Sequence, residues 1–150
     1  MNTSFAVFGL RTGLIKSGDS IQDCMIAAAK QVCNGFKDGD ILVLAETSVA
    51  TAEGNVIPLS TITPSAWAEK LAAQYQMDPR VVEVVLRETD SIVGGISGFL
   101  LCMKNGTLLP NAGVDASNAP LGCVTPLPEN PDKSALAIKK AIEIRCNVRI

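Results

Sequence analysis

The chain has 150 residues, of which 47% are hydrophobic and 19% charged, with a net charge of −2. That length suits one domain around one core, and that balance excludes a disordered chain. Basic residues are scattered, no apolar run is long enough to span a bilayer, and the start lacks a basic-then-apolar leader, so the expectation is a soluble, cytoplasmic protein that binds neither nucleic acid nor membrane.

Strand and helix signals alternate along the chain. Phe5–Phe8 is an apolar run of strand length. A helix follows Gly18-Asp19, capped by Asp19 or Ser20, with Ile21, Met25, Ala28 and Val32 on its apolar face and Gly35 at its end. After the turn cluster Lys37–Asp40, the uninterrupted run Ile41–Ala45 predicts a strand buried on both faces. Glu46-Thr-Ser48 then stands at the C-terminal end of that strand, where open α/β sheets gather ligands. Thr47 and Ser48 there read equally as phosphate contacts or as polar residues leaving a sheet.

Asn55–Ile57 is a brief strand, and Thr63-Pro64 opens a helix with Trp67, Leu71 and Tyr75 as its core stripe. Asp78-Pro79 repeats the cap-plus-proline start. Val81, Val82, Val85 and Leu86 then face inward, and Arg80, Glu83, Arg87 and Glu88 face water. After Gly94-Gly95 comes a hairpin of Phe99–Cys102, the turn Lys104-Asn-Gly-Thr107 and Leu108-Leu109. Gly122–Thr125 is another short apolar segment. Asn130-Pro131 starts a helix to about Arg145, with Ile138, Ala141 and Ile142 inside, Lys139 and Lys140 in water, and Asn147 as a left-handed terminator. Val148–Ile150 reads as the opening of a strand with an exposed edge, so a homodimer or a complex with a second chain is expected. The predicted architecture is a single α+β (mixed α/β) domain, with about four helices on a small mixed or antiparallel sheet. It is not a Rossmann fold, because no GxGxxG follows the first strand.

Two features bound the chemistry. Histidine is absent, which excludes Ser-His-Asp and Cys-His catalysis within the chain and leaves carboxylates, Lys, Arg or a metal. The five cysteines lack CxxC spacing and have small or apolar neighbours, so they read as reduced, buried thiols. Against that background stands the loop Pro110–Pro120, which holds Asn111, Gly113, Asp115, Ser117 and Asn118 among small residues. Convergent oxygens and open backbone suit a metal ion or a phosphate, and the same residues are the commonest turn formers.

Seven segments occur in the order Gly13-Leu-Ile-Lys-Ser-Gly-Asp19, Lys37-Asp-Gly-Asp-Ile-Leu-Val43, Ala52-Glu-Gly54, Thr63-Pro-Ser65, Asp78-Pro-Arg80, Val85-Leu-Arg-Glu88 and Asn111-Ala-Gly-Val-Asp-Ala-Ser-Asn118. Together they resemble the N-terminal portion of the coenzyme F-420-0:L-glutamate ligase (gamma-glutamyl ligase) family, over nearly the whole chain. The resemblance implies an amide-forming ligase that uses GTP with Mg²⁺ or Mn²⁺ to phosphorylate a deazaflavin carboxylate before L-glutamate displaces the phosphate. It implies Asp115 as metal ligand, Asn118 as nucleotide contact, Thr12, Gly13, Leu14 and Ile15 against the nucleotide, and Thr47 on a phosphate. Two positions depart from the family pattern, Thr51 in place of a lysine and Glu46 in place of a small serine. The family's later Asp-Thr-x-Gly-Arg-type strand is not among these residues. The expectation is therefore a domain, residues 1–150, that is incomplete as an enzyme alone and completed by a second chain. The alternative is a non-catalytic module that binds a nucleotide or other small anionic ligand, or a protein.

Overall fold

A computed structural model of the protein describes residues 5–150. Its elements in order are α1 (Ile21–Cys33), α2 (Glu46–Ala52), β1 (Ile57–Pro58), α3 (Ala66–Tyr75), α4 (Pro79–Glu88), β2 (Ser91–Ile96), β3 (Phe99–Lys104), β4 (Thr107–Pro110), β5 (Cys123–Val124) and α5 (Pro131–Cys146). The expected α+β class is found. Strands β2-β3-β4 form one antiparallel sheet and β1-β5 a second, and among the described residues the α-helices number five where about four were expected.

Local chemistry explains most boundaries. Asp78 caps α4 by accepting the Arg80 N–H at 2.8 Å, with Pro79 in the first turn. Asn130 caps α5 in the same way through the Lys133 N–H at 2.9 Å. Asn147 closes α5 in the left-handed conformation, as its sequence position predicts. The β3–β4 turn places Asn105 and Gly106 at φ 49° and 74°, the handedness that matches strand twist. Helix α3 begins two residues later than Thr63-Pro64 suggests, because Ser65 supplies the cap by accepting the Ala68 N–H.

Two apolar clusters form the interior. One joins α3 and α4 to the three-stranded sheet through Leu71, Ala72, Val82, Val84, Val85, Leu100 and Cys102, and reaches Ala112, Val114 and Val124. The other joins α1, α2 and α5 through Ile21, Met25, Val49, Ile138 and Ile142, with Ile15, Leu42 and Leu44 packed against it. Trp67 departs from its expected core role. It is 52% exposed, with the Lys70 ammonium 5.5 Å from its ring centre. Val32 is likewise exposed on α1.

The strands differ in part from expectation. Gly94-Gly95 lies inside β2, a strand that the sequence reading did not place. A Cβ at Gly95 would stand 2.9 Å from the Tyr75 ring, so glycine there permits close helix–sheet packing. Ile41–Ala45 and Phe5–Phe8 are not strands, since no described neighbour pairs with them, and Ile41 and Val43 are 83% and 85% exposed. Val148–Ile150 is not an open edge either. Val148 and Ile150 pack on the second cluster, while Arg149 exchanges hydrogen bonds with the Lys37–Asp40 turn through Gly39 and Asp38. Of the five cysteines, Cys102 is buried and the rest are half-buried, all as free thiols.

Candidate functional site

The loop after β4 is built by an unusual backbone. Asn111, Ala112 and Gly113 follow one another at φ 51°, 53° and 80°, a left-handed run that costs about 1–2 kcal/mol at a residue with a Cβ such as Ala112. Asn111 tolerates it, and its Oδ1 accepts the Leu100 N–H at 2.9 Å, tying the loop to β3. Gly113 is required twice over. Its φ is left-handed, and a Cβ there would lie 2.5 Å from Leu127 Cγ.

Two residues later the chain delivers Asp115. Its backbone exchanges both hydrogen bonds with Thr125, at 2.9 and 2.8 Å. A pair of that kind sets both side chains on one face. The Asp115 carboxylate accepts five hydrogen bonds: from Thr47 Oγ1 at 3.0 Å, Ser117 N and Oγ both at 2.7 Å, Asn118 N at 3.3 Å and Asn118 Nδ2 at 2.9 Å. Burial pushes the carboxyl upward, but the donors from Asn118, Ser117 and Thr47 outweigh it and hold the group well below its ordinary range. Asp115 is therefore an anion at neutral pH.

Thr47 reaches this carboxylate from 68 residues away. It lies buried in the first turn of α2, not at the exit of a strand as its sequence context suggests. Ala45, Glu46 and Thr47 turn into a helix because Ala45 O accepts from Ser48 and Val49. Glu46 then finds a favourable place in the first turn. Thr51 is buried on the same helix and brings no charge.

Asp115, Thr47 and Asn118 thus converge, whereas Thr12–Ile15 are positioned less directly. Ile15 packs on the cluster that holds Val49 of α2, and the Gly18 N–H donates to Ala52 O at 2.9 Å. Gly13 adopts φ 72° and Leu14 is exposed. Among the described residues no hydrogen bond joins Thr12–Ile15 to the carboxylate. Thr125 is a residue that sequence reasoning missed. Its hydroxyl is buried without a hydrogen-bond partner, in a run whose apolar character hid it.

Asp115 is the sole carboxylate of this cluster, and the described residues contain no group of three or more His, Cys, Asp and Glu side chains able to hold a metal. Nor do they contain a helix long and apolar enough to cross a membrane.

Residues 9–150 match the family model described as F420-0:Gamma-glutamyl ligase. The chain is 41% identical over 129 residues to the Coenzyme F420:L-glutamate ligase of Methanopyrus kandleri, covering 85% of this chain and 49% of that protein. The Methanothermobacter thermautotrophicus protein of the same name is 39% identical over 131 residues, covering 87% of this chain and 52% of its own length. A Methanococcus maripaludis counterpart is 45% identical over 109 residues, 72% of this chain and 44% of that protein. The chain therefore spans about half the length of the curated relatives it matches. With its residues matched almost from end to end, the chain belongs to the F420-0:gamma-glutamyl ligase family.

Proposed function

We propose that this chain forms one part of an amide-forming ligase that adds L-glutamate to a deazaflavin coenzyme, and that it contributes one wall of a GTP and divalent-metal site. The observation that carries the reading is the meeting of Thr47, Asp115 and Asn118 at one carboxylate across 68 residues of sequence. A local turn of Asn, Asp and Ser has no need of a buried threonine from a distant helix.

The donor set fits such an ion in a limited way. Mg²⁺ and Mn²⁺ are held by one or two carboxylates together with substrate phosphates and water, so Asp115 suits an ion that arrives on a nucleotide. When bound, the ion neutralises charge on the phosphates during transfer. The chain's own residues do the positioning. Asp115 stays ionised through its donors, the Thr47 and Ser117 hydroxyls can rotate away to free lone pairs, and the Asn118 amide keeps the carboxylate aimed. The substrate carboxylate would take the γ-phosphoryl group with release of GDP. The glutamate amine would then form the amide as phosphate and a proton leave. Among this chain's own groups, which include no histidine, a carboxylate would take that proton, or it would pass to water.

A need for further oxygen ligands accords with the single carboxylate in the cluster. A second reading, a module that binds an anionic ligand without turnover, is favoured by the five donors that already satisfy Asp115, by Thr51 and by Glu46. Thermal-shift titration with GTP, ATP and Mn²⁺, singly and together, tests the site. The expected result is a nucleotide shift that requires Mn²⁺ and vanishes in Asp115→Ala; a ligand held a hundredfold above Kd adds about 2.7 kcal/mol. A shift indifferent to metal and to Asp115 would favour the second reading. No shift with any ligand would remove the nucleotide site.

A further inference from the structure

The two oxygens of the Asp115 carboxylate are held differently. Oδ1 accepts from Ser117 N and Asn118 N, backbone donors of a fixed turn, and from the Ser117 hydroxyl. Oδ2 accepts side-chain donors alone, the Thr47 hydroxyl at 3.0 Å and the Asn118 amide at 2.9 Å. Side-chain rotation therefore clears Oδ2, whereas Oδ1 keeps its backbone partners. The two displaced groups differ in where they can turn. Asn118 is exposed, so water takes its amide. Thr47 is buried, so its hydroxyl needs another partner inside the protein.

Thr125 offers one. Its hydroxyl is the one buried side-chain nitrogen or oxygen among the described residues without a hydrogen-bond partner. Thr125 pairs with Asp115 through both backbone hydrogen bonds, which sets the two side chains side by side with Cβ atoms about 5 Å apart. It does not join the carboxylate as a sixth donor, because a carboxylate has about four lone-pair sites and five donors already claim them. A valine would fill the same space without leaving a polar atom orphaned.

We infer that Thr125 is a positioning residue, which accepts a hydrogen bond from the Thr47 hydroxyl when a divalent cation takes Oδ2 of Asp115. This inference rests on the reading of a metal-dependent nucleotide site. A hydroxyl carries one donor hydrogen and two acceptor lone pairs. While Thr47 donates to Asp115, its hydrogen stands beside Oδ2. Turned to donate to Thr125, the same hydroxyl presents its lone pairs to the carboxylate side. Thr47 and Asp115 then offer two oxygens to a hard cation that arrives on a nucleotide. No proton is transferred, since one hydrogen bond replaces another. The hydroxyl left orphaned without ligand is the partner kept for the liganded state.

Calorimetric titration of GTP with Mn²⁺ into the parent and Thr125 variants tests this, beside Tm measured without ligand. Thr125→Val should weaken Mn²⁺-dependent GTP binding by about fivefold, the worth of one hydrogen bond. The same variant should raise the Tm of the unliganded chain by about 2–4 °C. Weaker binding with higher stability is a pair of opposite signs that a damaged fold does not produce. Thr125→Ser keeps the hydroxyl and should bind within about twofold of the parent. In a Thr47→Val background, Thr125→Val should change affinity by less than about twofold, because the side chain it orients is gone. Parental affinity in Thr125→Val, failure of Thr125→Ser to restore binding, an undiminished loss in the Thr47→Val background, or a lowered Tm would each overturn the inference and leave the nucleotide reading standing. A parent chain that binds no GTP with Mn²⁺ would instead remove that reading, and this role with it.

Discussion

Replacing Asp115 with alanine removes the acceptor of five hydrogen bonds at once, and their surroundings decide the cost. Ser117 and Asn118 are exposed, so water replaces the carboxylate for their donors at little expense. Thr47 is buried, so its hydroxyl loses its partner with none to take over. An orphaned buried donor costs about 1–3 kcal/mol, and the solvated donors add a few tenths each. The expected total is about 2–3 kcal/mol, or about 5–10 °C in Tm for a chain of this size. Urea unfolding at neutral pH with a chelator present measures it free of any metal contribution. Thr47→Val isolates the buried bond. Once the threonine donor is gone, Asp115→Ala should cost about 1 kcal/mol less than in the parent, a coupling that a double-mutant cycle resolves. A single-mutant cost below about 0.5 kcal/mol, or additivity within about 0.3 kcal/mol, would refute the carboxylate as organiser of the loop.

Other outcomes follow from the same geometry. Thr125→Val deletes a buried hydroxyl that has no partner and should raise stability by about 1 kcal/mol in urea unfolding, whereas a loss would mean the hydroxyl is bonded. Gly113→Ala forces a Cβ into Leu127 at a left-handed φ and should cost about 2–4 kcal/mol, part of it recovered when Leu127→Ala opens space. The folded Asp115 carboxyl lies below its ordinary value of 3.8, so its stabilisation is present above that value and is lost as pH falls through the lower folded one. The stability gap between the parent and Asp115→Asn should accordingly be flat above about pH 5 and shrink in acid. Asp23, Asp78, Glu83 and Glu143 are also depressed, so the parent should still weaken in acid after that substitution. Chelation without nucleotide should leave Tm unchanged, because the described residues include no group of three metal-ligating side chains.

Most of the helices were legible because their ends carry local chemistry. Asp78-Pro79, Asn130-Pro131 and Asn147 mark real termini, and Asn105-Gly106 marks a real hairpin. What escaped depends on distant parts of the chain. The need for Gly95 beneath Tyr75 cannot be seen in the dipeptide Gly94-Gly95 itself. The run Ile41–Ala45 signals two-sided burial, which the described residues supply on one side only. At the site, Asp115 and Asn118 stood out by composition, and the resemblance pointed to Thr47. Its contact with Asp115 spans 68 residues, so no local pattern encodes it.

The central claim is the proposal that Thr47, Asp115 and Asn118 form one wall of a metal-dependent nucleotide site. The most direct measurement is calorimetric titration of GTP into the chain with and without Mn²⁺, repeated on Asp115→Ala. Binding that requires Mn²⁺ and is lost with Asp115→Ala is the predicted result. Binding indifferent to the metal and to Asp115, or no binding at all, would contradict it.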